Sequence, residues 1–480
     1  MTEPHASTAP AVDSPVRATP GVAILVSVVL VELSSGITQG FLSPVLRSLT
    51  EALNVTAADL NWISIANLLA SVAFTPVLSR MGDLYGHRRI LRWNLAIVLA
   101  GSLLVGTAQS FGVLLAGQVL QGAFAGFFPL LVGILRNRSG AAESRRGIGI
   151  MVAALIGGVG VGMVASGLVA HYVAAPTAAL WVPAVAVSLA LIITWPLLPE
   201  SDHRPGGHLD LRGGLLLSVG LVAILLGLGQ GGMPGWEWTS TRTIGCLAGG
   251  MLVIALWIWV ELRSAAPMID VRLFRHRNVT VVSLVAITFS FCQLGLQVTN
   301  AIFLGTPREQ FGYGLGLAPL TIAFAMLPGM ATVALTALFA PALAERIGDR
   351  ATLVLGSLIM AVGYLGNLAF HNSLPMFLLV SIVAAVGAGL LQQSTRSLAV
   401  ESVPHDQAAV GSGINELFIN IGGSLGAACA LSFTAAATIA GSPLPTFSAY
   451  GAIWTTAAVV SLAGAGIGML LRRNSIHAKS

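Results

Sequence analysis

Long apolar runs dominate the chain, and short polar stretches separate them. A membrane-spanning helix needs about 20 consecutive, mostly apolar residues. By that criterion the pattern predicts fourteen spans, at residues 21–46, 59–79, 92–108, 111–135, 147–171, 177–198, 212–229, 242–262, 279–304, 315–341, 352–370, 375–397, 409–437 and 447–471. Residues 1–20, rich in Pro, Ala, Ser and Thr, are predicted to be a disordered tail, and residues 472–480 a second tail. The fold class is therefore an all-α, polytopic membrane protein.

The basic residues lie almost entirely on one side of this arrangement. With the N-terminus in the cytoplasm, only Arg47, Arg242 and Arg308 of the 24 Lys and Arg residues fall on the outer side. Short cytoplasmic loops carry such an excess because positive charge resists translocation. One span more or fewer would reverse every later loop, so the asymmetry supports fourteen spans with both termini cytoplasmic.

Composition supports this interpretation and excludes other classes of protein. Hydrophobic residues make up 55% of the chain and charged residues 9%, and the mean hydropathy is +0.85; soluble domains have about 25% charged residues. Lys479 is the only lysine, which excludes an ATP-binding phosphate loop. The three cysteines and nine histidines show no disulfide or metal-ligand spacing. The arginines form no basic face for nucleic acid. We expect no enzyme activity, cofactor or metal site.

Ionisable residues inside the spans are candidates for function, because each costs at least about 2.5 to 3.5 kcal/mol near the bilayer centre. Glu32 lies near the middle of the first span, on one helical face with Ser35, Gly36, Gln39 and Ser43. Glu32 is predicted to face a water-accessible cavity, where it is a candidate for proton coupling because it can bind and release a proton, or else to be a protonated structural acid.

Two further ionisable residues lie in the predicted spans 375–397 and 409–437. Glu416 is the second candidate for proton coupling, with a structural tie to Arg396 as the alternative. Arg396 lies near the cytoplasmic end of its span, and we expect its side chain to snorkel to the membrane interface.

Uncharged polar side chains also occur along the predicted spans. Such amides can hold helices together through hydrogen bonds of about 0.6 kcal/mol each. Because they come from both parts of the chain, they also predict a polar route between the helices. The candidates for a substrate cavity are Gln39, Asn67, Gln118, Gln121, Gln293, Gln297, Asn300, Gln393 and Asn420.

Two predicted cytoplasmic loops share the spacing acid, two residues, Gly, one residue, Arg. Glycine permits a tight turn, and the acid and arginine can pair across a gate or with a helix terminus. Two similar loops indicate two related halves, the usual plan of secondary transporters. The predicted gating residues are Asp83, Gly86, Arg88 and Arg89 in the first loop and Glu345, Arg346, Gly348 and Arg350 in the second.

The first loop resembles the hallmark motif Gly-x-Leu-Ala-Asp-Arg-x-Gly-Arg-Arg of the major facilitator superfamily. Within that superfamily, the sequence resembles the fourteen-span drug:proton antiporter group. Residues 60–63, 119–122, 231–238, 266–274 and 410–423 fit the same group. The resemblance implies two six-helix bundles, at residues 21–198 and 279–471, with two additional helices within residues 199–278. It also implies an antiporter-type glycine helix, which here contains Gly158, Gly162, Ser166 and Gly167.

Two departures from the family pattern concern proton coupling. Gln118 occupies the position of an arginine that the family links to protons, and Met163 occupies the position of a proline in the glycine helix. They keep a second hypothesis open, a proton-independent facilitator or a transporter of a metabolite or lipid. A non-transporting receptor is disfavoured because no loop is longer than about 20 residues.

We expect a secondary active exporter of small hydrophobic or amphipathic compounds, such as drugs or antibiotics, in a bacterial plasma membrane. The resemblance implies proton antiport by alternating access, with the proton gradient as the source of energy. The expected partners are the small-molecule substrate and the lipid bilayer, and the protein is expected to be a monomer that binds no nucleic acid.

Overall fold

The computed structural model describes residues 21–42, 45, 57–173, 177–198, 209–233, 235–264, 267–404, 407–437 and 445–472. The predicted tail at 1–20, most of the tail at 472–480, and Ser43 and Arg47 lie outside these residues. Within the described part all regular structure is helical, apart from one isolated bridge between Met233 and Trp236.

The helices before residue 199 follow the predicted spans closely. A 3₁₀ turn at Gly122–Gly126 joins α4 to α5, so that together they cover one predicted span, and another at Ala178–Trp181 precedes α7. The helices are α1 (Val22–Gly40), α2 (Ala57–Tyr85), α3 (His87–Gly106), α4 (Phe111–Gln121), α5 (Phe127–Arg138), α6 (Ala141–Tyr172) and α7 (Val182–Leu197).

The later helices continue the same architecture. Two of them begin at hydrogen-bonded caps, because Asp210 accepts the Gly213 N–H and Ser240 accepts the Thr243 N–H. The helices are α8 (Leu211–Gln230), α9 (Thr241–Glu261), α10 (Arg277–Gln293), α11 (Gln297–Gly305), the short α12 (Arg308–Phe311), α13 (Pro319–Ile347), α14 (Asp349–Ala369), α15 (Leu374–Glu401), α16 (Ala408–Ala436) and α17 (Phe447–Gly468).

Thirteen helices in the described residues are long and apolar enough to cross a membrane. The predicted span 279–304 differs, since it is divided at Leu294–Leu296 into α10, a shorter apolar helix, and α11. At the break, Gly295 packs directly against Gly426 of α16, and a Cβ on Gly295 would lie 2.5 Å from the Gly426 Cα. The break between α10 and α11 thus coincides with this close backbone approach. Apolar patterning alone did not predict the break.

The helices form an N-terminal set (α1–α7) and a C-terminal set (α10–α17). Within the first set α1 packs on α6 and α7, and within the second α14 packs on α15 and α17, while α10 packs on α16. The two sets meet where α6 packs against α13 and where α2 and α5 pack against α16. The helices α8 and α9 pack on each other, and α8 also contacts α2 and α16.

Close packing of α1 against α6 depends on glycines of α6. A Cβ on Gly162 would lie only 2.6 Å from the carbonyl oxygen of Ile37, and one on Gly158 would overlap the carbonyl oxygen of Leu33. On another face of α6, a Cβ on Gly149 would lie 2.8 Å from the Ala337 carbonyl oxygen of α13. Small residues allow membrane helices to approach this closely, so α6 lies tightly between α1 and the C-terminal set.

This packing predicts that Gly162→Ala destabilises the fold by about 1–3 kcal/mol, because the added methyl group must displace backbone of α1. Gly157→Ala is the matched control, since a Cβ there meets nothing within 4 Å. Thermal unfolding of the detergent-purified variants measures the difference. An equal Tm for the two variants would show that the α1–α6 contact is looser than described.

Candidate functional site

A cavity of about 590 Å³ lies between the two sets of helices. The N-terminal set contributes α1, α2, α4, α5 and α6 to its walls, and the C-terminal set contributes α10, α11 and α13–α16. Most of the polar side chains predicted for a cavity lie on these walls. They are Glu32, Gln39, Asn67, Gln118, Gln293, Gln297, Asn300, Glu416 and Asn420.

Two predicted cavity residues lie elsewhere, and for them the prediction is wrong. Gln121 is fully buried between α4 and α3, where its amide donates to Ser102 Oγ at 3.0 Å. Gln393 donates to Ser397 Oγ at 2.7 Å and to the Arg145 carbonyl at 3.3 Å. Both amides therefore join helices, which was the alternative role of the polar stripes. Gln392, the neighbour of Gln393, lines the cavity instead.

Apolar side chains complete the cavity walls. Phe124 and Phe128 line it from the N-terminal set, and Met326, Met330 and Phe377 from the C-terminal set. Aromatic rings offer flat apolar area, and methionines adapt to irregular shapes. A wall of amides interrupted by rings and thioethers is suited to compounds with both apolar and polar parts.

Glu32 is the carboxylate without a partner in this cavity. Its side chain lies near the middle of α1 and is 0% exposed. Neither of its oxygens has a hydrogen-bond partner among the described residues. A buried polar group without a partner is costly, and a buried charge more so. The arrangement matches a group whose partner is a proton or a bound compound.

Arg396 and Glu416 form a buried pair in the same cavity. Arg396 Nε donates to Glu416 Oε1 at 2.7 Å and a second guanidinium nitrogen donates to Oε2 at 3.2 Å. The guanidinium also lies 4.7 Å from the ring centre of Phe128, a residue of the other set. With Arg396 only 3% exposed, the expectation that it snorkels to the interface is wrong, and the predicted contact between Arg396 and Glu416 is present.

The two repeated loops lie at the end of the bundle that carries most arginines, hereafter the arginine-rich end. Gly86 and Gly348 have φ of 100° and 88°, values that side chains other than glycine rarely adopt. Each glycine separates two consecutive helices, α2 from α3 and α13 from α14. The predicted tight turns are therefore confirmed in both loops.

Asp83 joins the two sets at the arginine-rich end. Its Oδ2 accepts the backbone N–H of Val410, in the first turn of α16, at 3.1 Å, and its Oδ1 lies 2.9 Å from His87 Nε2. A carboxylate is favoured at a helix N-terminus because free N–H groups and the helix dipole meet there. The predicted contact of this acid with a helix terminus is confirmed. Arg88 is half-buried and Arg89 is exposed.

In the second loop the structure places the contact on a different acid. Glu345, Arg346 and Arg350 are exposed, whereas Asp349 accepts from Arg145 of α6 at 2.6 Å and 3.1 Å. Arg145 also binds Glu401 through two nitrogens, both at 2.5 Å. The second loop therefore joins the sets through Asp349, not through Glu345.

These contacts close the arginine-rich end. Arg136 adds a hydrogen bond to the Val400 carbonyl oxygen of α15, and a Cβ on Gly413 of α16 would overlap Ser79 Oγ of α2. The lining of the cavity extends away from the arginine-rich end, as far as Phe41 and Leu42, which follow the last residue of α1. The cavity is thus sealed from the arginine-rich end by direct contact between the sets.

Comparison of the whole chain with known protein families shows which family it belongs to. The sequence profile of the Major Facilitator Superfamily matches residues 28–427, and it matches again at residues 289–479. The chain belongs to the major facilitator superfamily. The family's members are membrane-embedded transporters of small molecules, so this chain is a multi-pass membrane protein of a transporter family.

Curated relatives and a solved structure agree with this membership. "Multidrug resistance protein Stp" of Mycobacterium tuberculosis (strain CDC 1551 / Oshkosh) is 28% identical over 379 residues, 76% of this chain and 67% of Stp. "Cephamycin export protein CmcT" of Amycolatopsis lactamdurans is 28% identical over 431 residues, 87% of this chain and 86% of CmcT. The crystal structure of the human organic anion transporter MFSD10 (TETRAN) has a TM-score of 0.64 at 18% identity, with 93% of this chain and 99% of that chain covered, and shows the common fold.

Sequence reasoning missed the residues that join the two sets most strongly. Arg145, Asp349 and Glu401 lie in or beside three separate predicted loops. Arg145 counted only toward the excess of positive charge, and the two acids carried no motif. His87 was likewise not among the predicted gating residues, although it is buried beside Asp83. Only the position of the loops in space could reveal these pairs.

The bridge at Arg145 predicts a conformational effect. Arg145→Gln leaves Asp349 and Glu401 without their cation, which weakens closure of the arginine-rich end by about 1.5–3 kcal/mol. Spin labels on cysteines at Tyr85 and Ala351, both exposed at this end, report the distance between the sets in a variant without native cysteines. We expect a longer and broader distribution of distances than in the parent.

The control for this measurement is Arg346→Gln, which removes an exposed arginine at the same end and should leave the distances unchanged. Identical distributions for Arg145→Gln and the parent would show that the bridge does not hold the end closed.

Proposed function

We propose that this protein is a secondary active transporter that exports small hydrophobic or amphipathic compounds, including antibiotics, by proton antiport. The names of Stp and CmcT, a multidrug resistance protein and a cephamycin exporter, support export of such compounds. The observation that carries the proposal is the central cavity, in which amides and apolar rings surround an unpartnered carboxylate.

The size and walls of the cavity suit one drug-sized compound. Ligand sites for small molecules commonly measure about 300–1,000 Å³ and combine apolar walls with a few polar groups, and this cavity measures about 590 Å³. Amides from both sets can exchange hydrogen bonds with a compound, and Met326 and Met330 can adapt to its shape. Adaptable walls favour a range of substrates over a single one.

Alternating access requires that the closed arginine-rich end can open. Along the closed stretch, Ser394 on α15 and Ser412 and Asn415 on α16 are buried, and polar atoms of each have no hydrogen-bond partner among the described residues. Such groups gain partners if water enters, which favours an open state. We infer that the two sets rock about the cavity and that this stretch becomes the inner entrance.

We further propose the arrangement of the chain in the membrane. The helices α10 and α11 together form a fourteenth span, and α8 and α9 are two additional helices between two six-helix bundles. The arginine-rich end then faces the cytoplasm, because short cytoplasmic loops carry the excess of Lys and Arg. Both termini are cytoplasmic, the membrane is the bacterial plasma (inner) membrane, and one chain suffices for transport.

This arrangement predicts which residues an impermeant maleimide reaches in intact cells. In a cysteine-free background, Glu237→Cys and Glu309→Cys should be labelled and Arg275→Cys should not; all three positions are exposed. Permeabilised cells, in which all three react, are the control. Protection of Glu309→Cys in intact cells would show that α10 and α11 do not cross the membrane as one span.

Proton coupling would arise from the acids in the cavity. A buried carboxylate is costlier to hold in its charged form than in its neutral form, so binding or release of a proton changes the relative free energy of the inward-facing and outward-facing states. Glu32 or Glu416 would serve, and both line the cavity. No other cofactor enters this scheme, since the proton gradient supplies the energy.

The decisive experiment measures efflux of ethidium, a fluorescent cation, from cells that express the protein. We expect efflux to stop when a protonophore collapses the proton gradient, and the variant Glu32→Gln/Glu416→Gln to lose concentrative efflux. Efflux that persists without a gradient would instead support the second hypothesis, a proton-independent facilitator or a transporter of a metabolite or lipid.

A matched control separates a specific effect from loss of any acid. Glu309 is exposed on the short α12, so Glu309→Gln should transport like the parent at equal expression. Equal efflux by the double variant and by Glu309→Gln would remove both cavity acids from the mechanism. A panel of antibiotics and toxic compounds, tested with and without the gene, then measures the range of substrates.

A further inference from the structure

The cavity contains few ionisable side chains, so its charge can be followed residue by residue. Those that line it are Glu32 on α1, Tyr364 on α14, Arg396 on α15 and Glu416 on α16. The Tyr364 hydroxyl donates to the Cys292 carbonyl oxygen at 2.8 Å and carries no charge. The charge of the cavity therefore depends on two acids and one arginine.

Arg396 forms an ion pair with Glu416. The two residues share two hydrogen bonds, of 2.7 Å and 3.2 Å, in the fork geometry that suits guanidinium and carboxylate. A third guanidinium nitrogen donates to the Gln392 carbonyl oxygen at 3.4 Å, and Phe128 covers one face of the guanidinium. All of these contacts leave the pair neutral as a unit.

Glu32 lies near this pair but makes no hydrogen bond with it. Arg396 and Glu416 act on it electrostatically in opposite directions, so their effects partly cancel. The cavity walls contributed by α5 and α6, which pack on α1, are apolar around this site, with Phe128, Leu155 and Ile156. Glu32 is therefore the carboxylate of the described cavity lining to which no cation is bonded, whereas Glu416 is bonded to Arg396.

We propose that Arg396 sets the charge of the transported compound: by neutralising Glu416, it leaves one uncompensated acid, so that the cavity holds either one proton or one lipophilic monocation on Glu32. This proposal rests on the proposed function of the same cavity as an export site. Arg396 acts through Glu416 and is thus a positioning residue, while Glu32 meets the cation directly.

The charge balance explains why a proton and a monocation exclude each other. With a proton on Glu32, the cavity is neutral; with the proton released, it carries one negative charge, which a single positive charge restores to neutrality. An unbalanced charge in a site of low dielectric constant is strongly disfavoured. A compound with a second positive charge would leave the cavity with a net charge of +1, so its binding is disfavoured for the same reason.

Ethidium and propidium test this balance, because they share one ring system and carry one and two positive charges. Binding to the purified full-length protein is measured by fluorescence, and proton release by a pH indicator in weak buffer. For the parent protein we expect one proton released per ethidium bound and affinity for propidium weaker by at least about tenfold. Glu32→Gln should release no proton and bind ethidium at least about tenfold more weakly.

Variants of the pair give the sharper test. Arg396→Gln adds an uncompensated acid and should bind propidium more tightly than ethidium, with two protons released per propidium. Glu416→Gln frees Arg396 to neutralise Glu32, so ethidium binding should fall while Glu32 remains in place. The double variant Arg396→Gln/Glu416→Gln removes the whole pair and should return to the behaviour of the parent, which a merely structural role of the pair does not predict.

The results also separate this inference from the proposed function. Ethidium that binds the parent without releasing a proton, or an Arg396→Gln variant that still prefers ethidium, would overturn the charge rule and leave export untouched. A double variant that keeps its fold but not the preference for ethidium would overturn it as well. Glu309→Gln, an acid removed from an exposed helix, is the control and should match the parent in both affinity and proton count.

Discussion

A carboxylate without a protein partner in the middle of a membrane bundle is the constraint on which this structure depends. Glu32 cannot face lipid, because hydrocarbon solvates neither its charge nor its hydrogen bonds. The bundle must therefore provide an internal space around it, and the cavity between the two sets of helices is that space. The amides on both walls are then exposed to water or substrate, rather than to hydrocarbon.

Two kinds of contact between the sets have different consequences. The α6–α13 contact is built on close backbone approach, as at Gly149, where a Cβ would lie 2.8 Å from the Ala337 carbonyl oxygen. The arginine-rich end is instead held by charged groups, with Arg145 between Asp349 and Glu401 and with Asp83 at the start of α16. Charged groups find alternative partners in water, so this closure can be exchanged for hydration at modest cost. A transporter needs a closure that can be reversed in this way.

Several particular predictions show where sequence reasoning succeeds and fails. The helix bounds and the turns at Gly86 and Gly348 followed from apolar patterning and glycine spacing, because both are local properties. The break at Leu294–Leu296 did not, since it accompanies contact with Gly426, more than a hundred residues away. Gln121 and Gln393 show the same limit: an amide on a helix can bind a neighbour or face a cavity, and its own sequence is compatible with both.

What the sequence determined by itself is that the protein lies in a membrane, that it is helical, and which polar side chains lie within the spans, because these depend on residue type and on periods of a few residues. Tertiary structure alone decided the partners. It paired Arg396 with Glu416, left Glu32 without a partner, and moved the contact of the second loop from Glu345 to Asp349. Those choices depend on distances between helices far apart in the chain, and they determine which carboxylate of the cavity has a cation bonded to it.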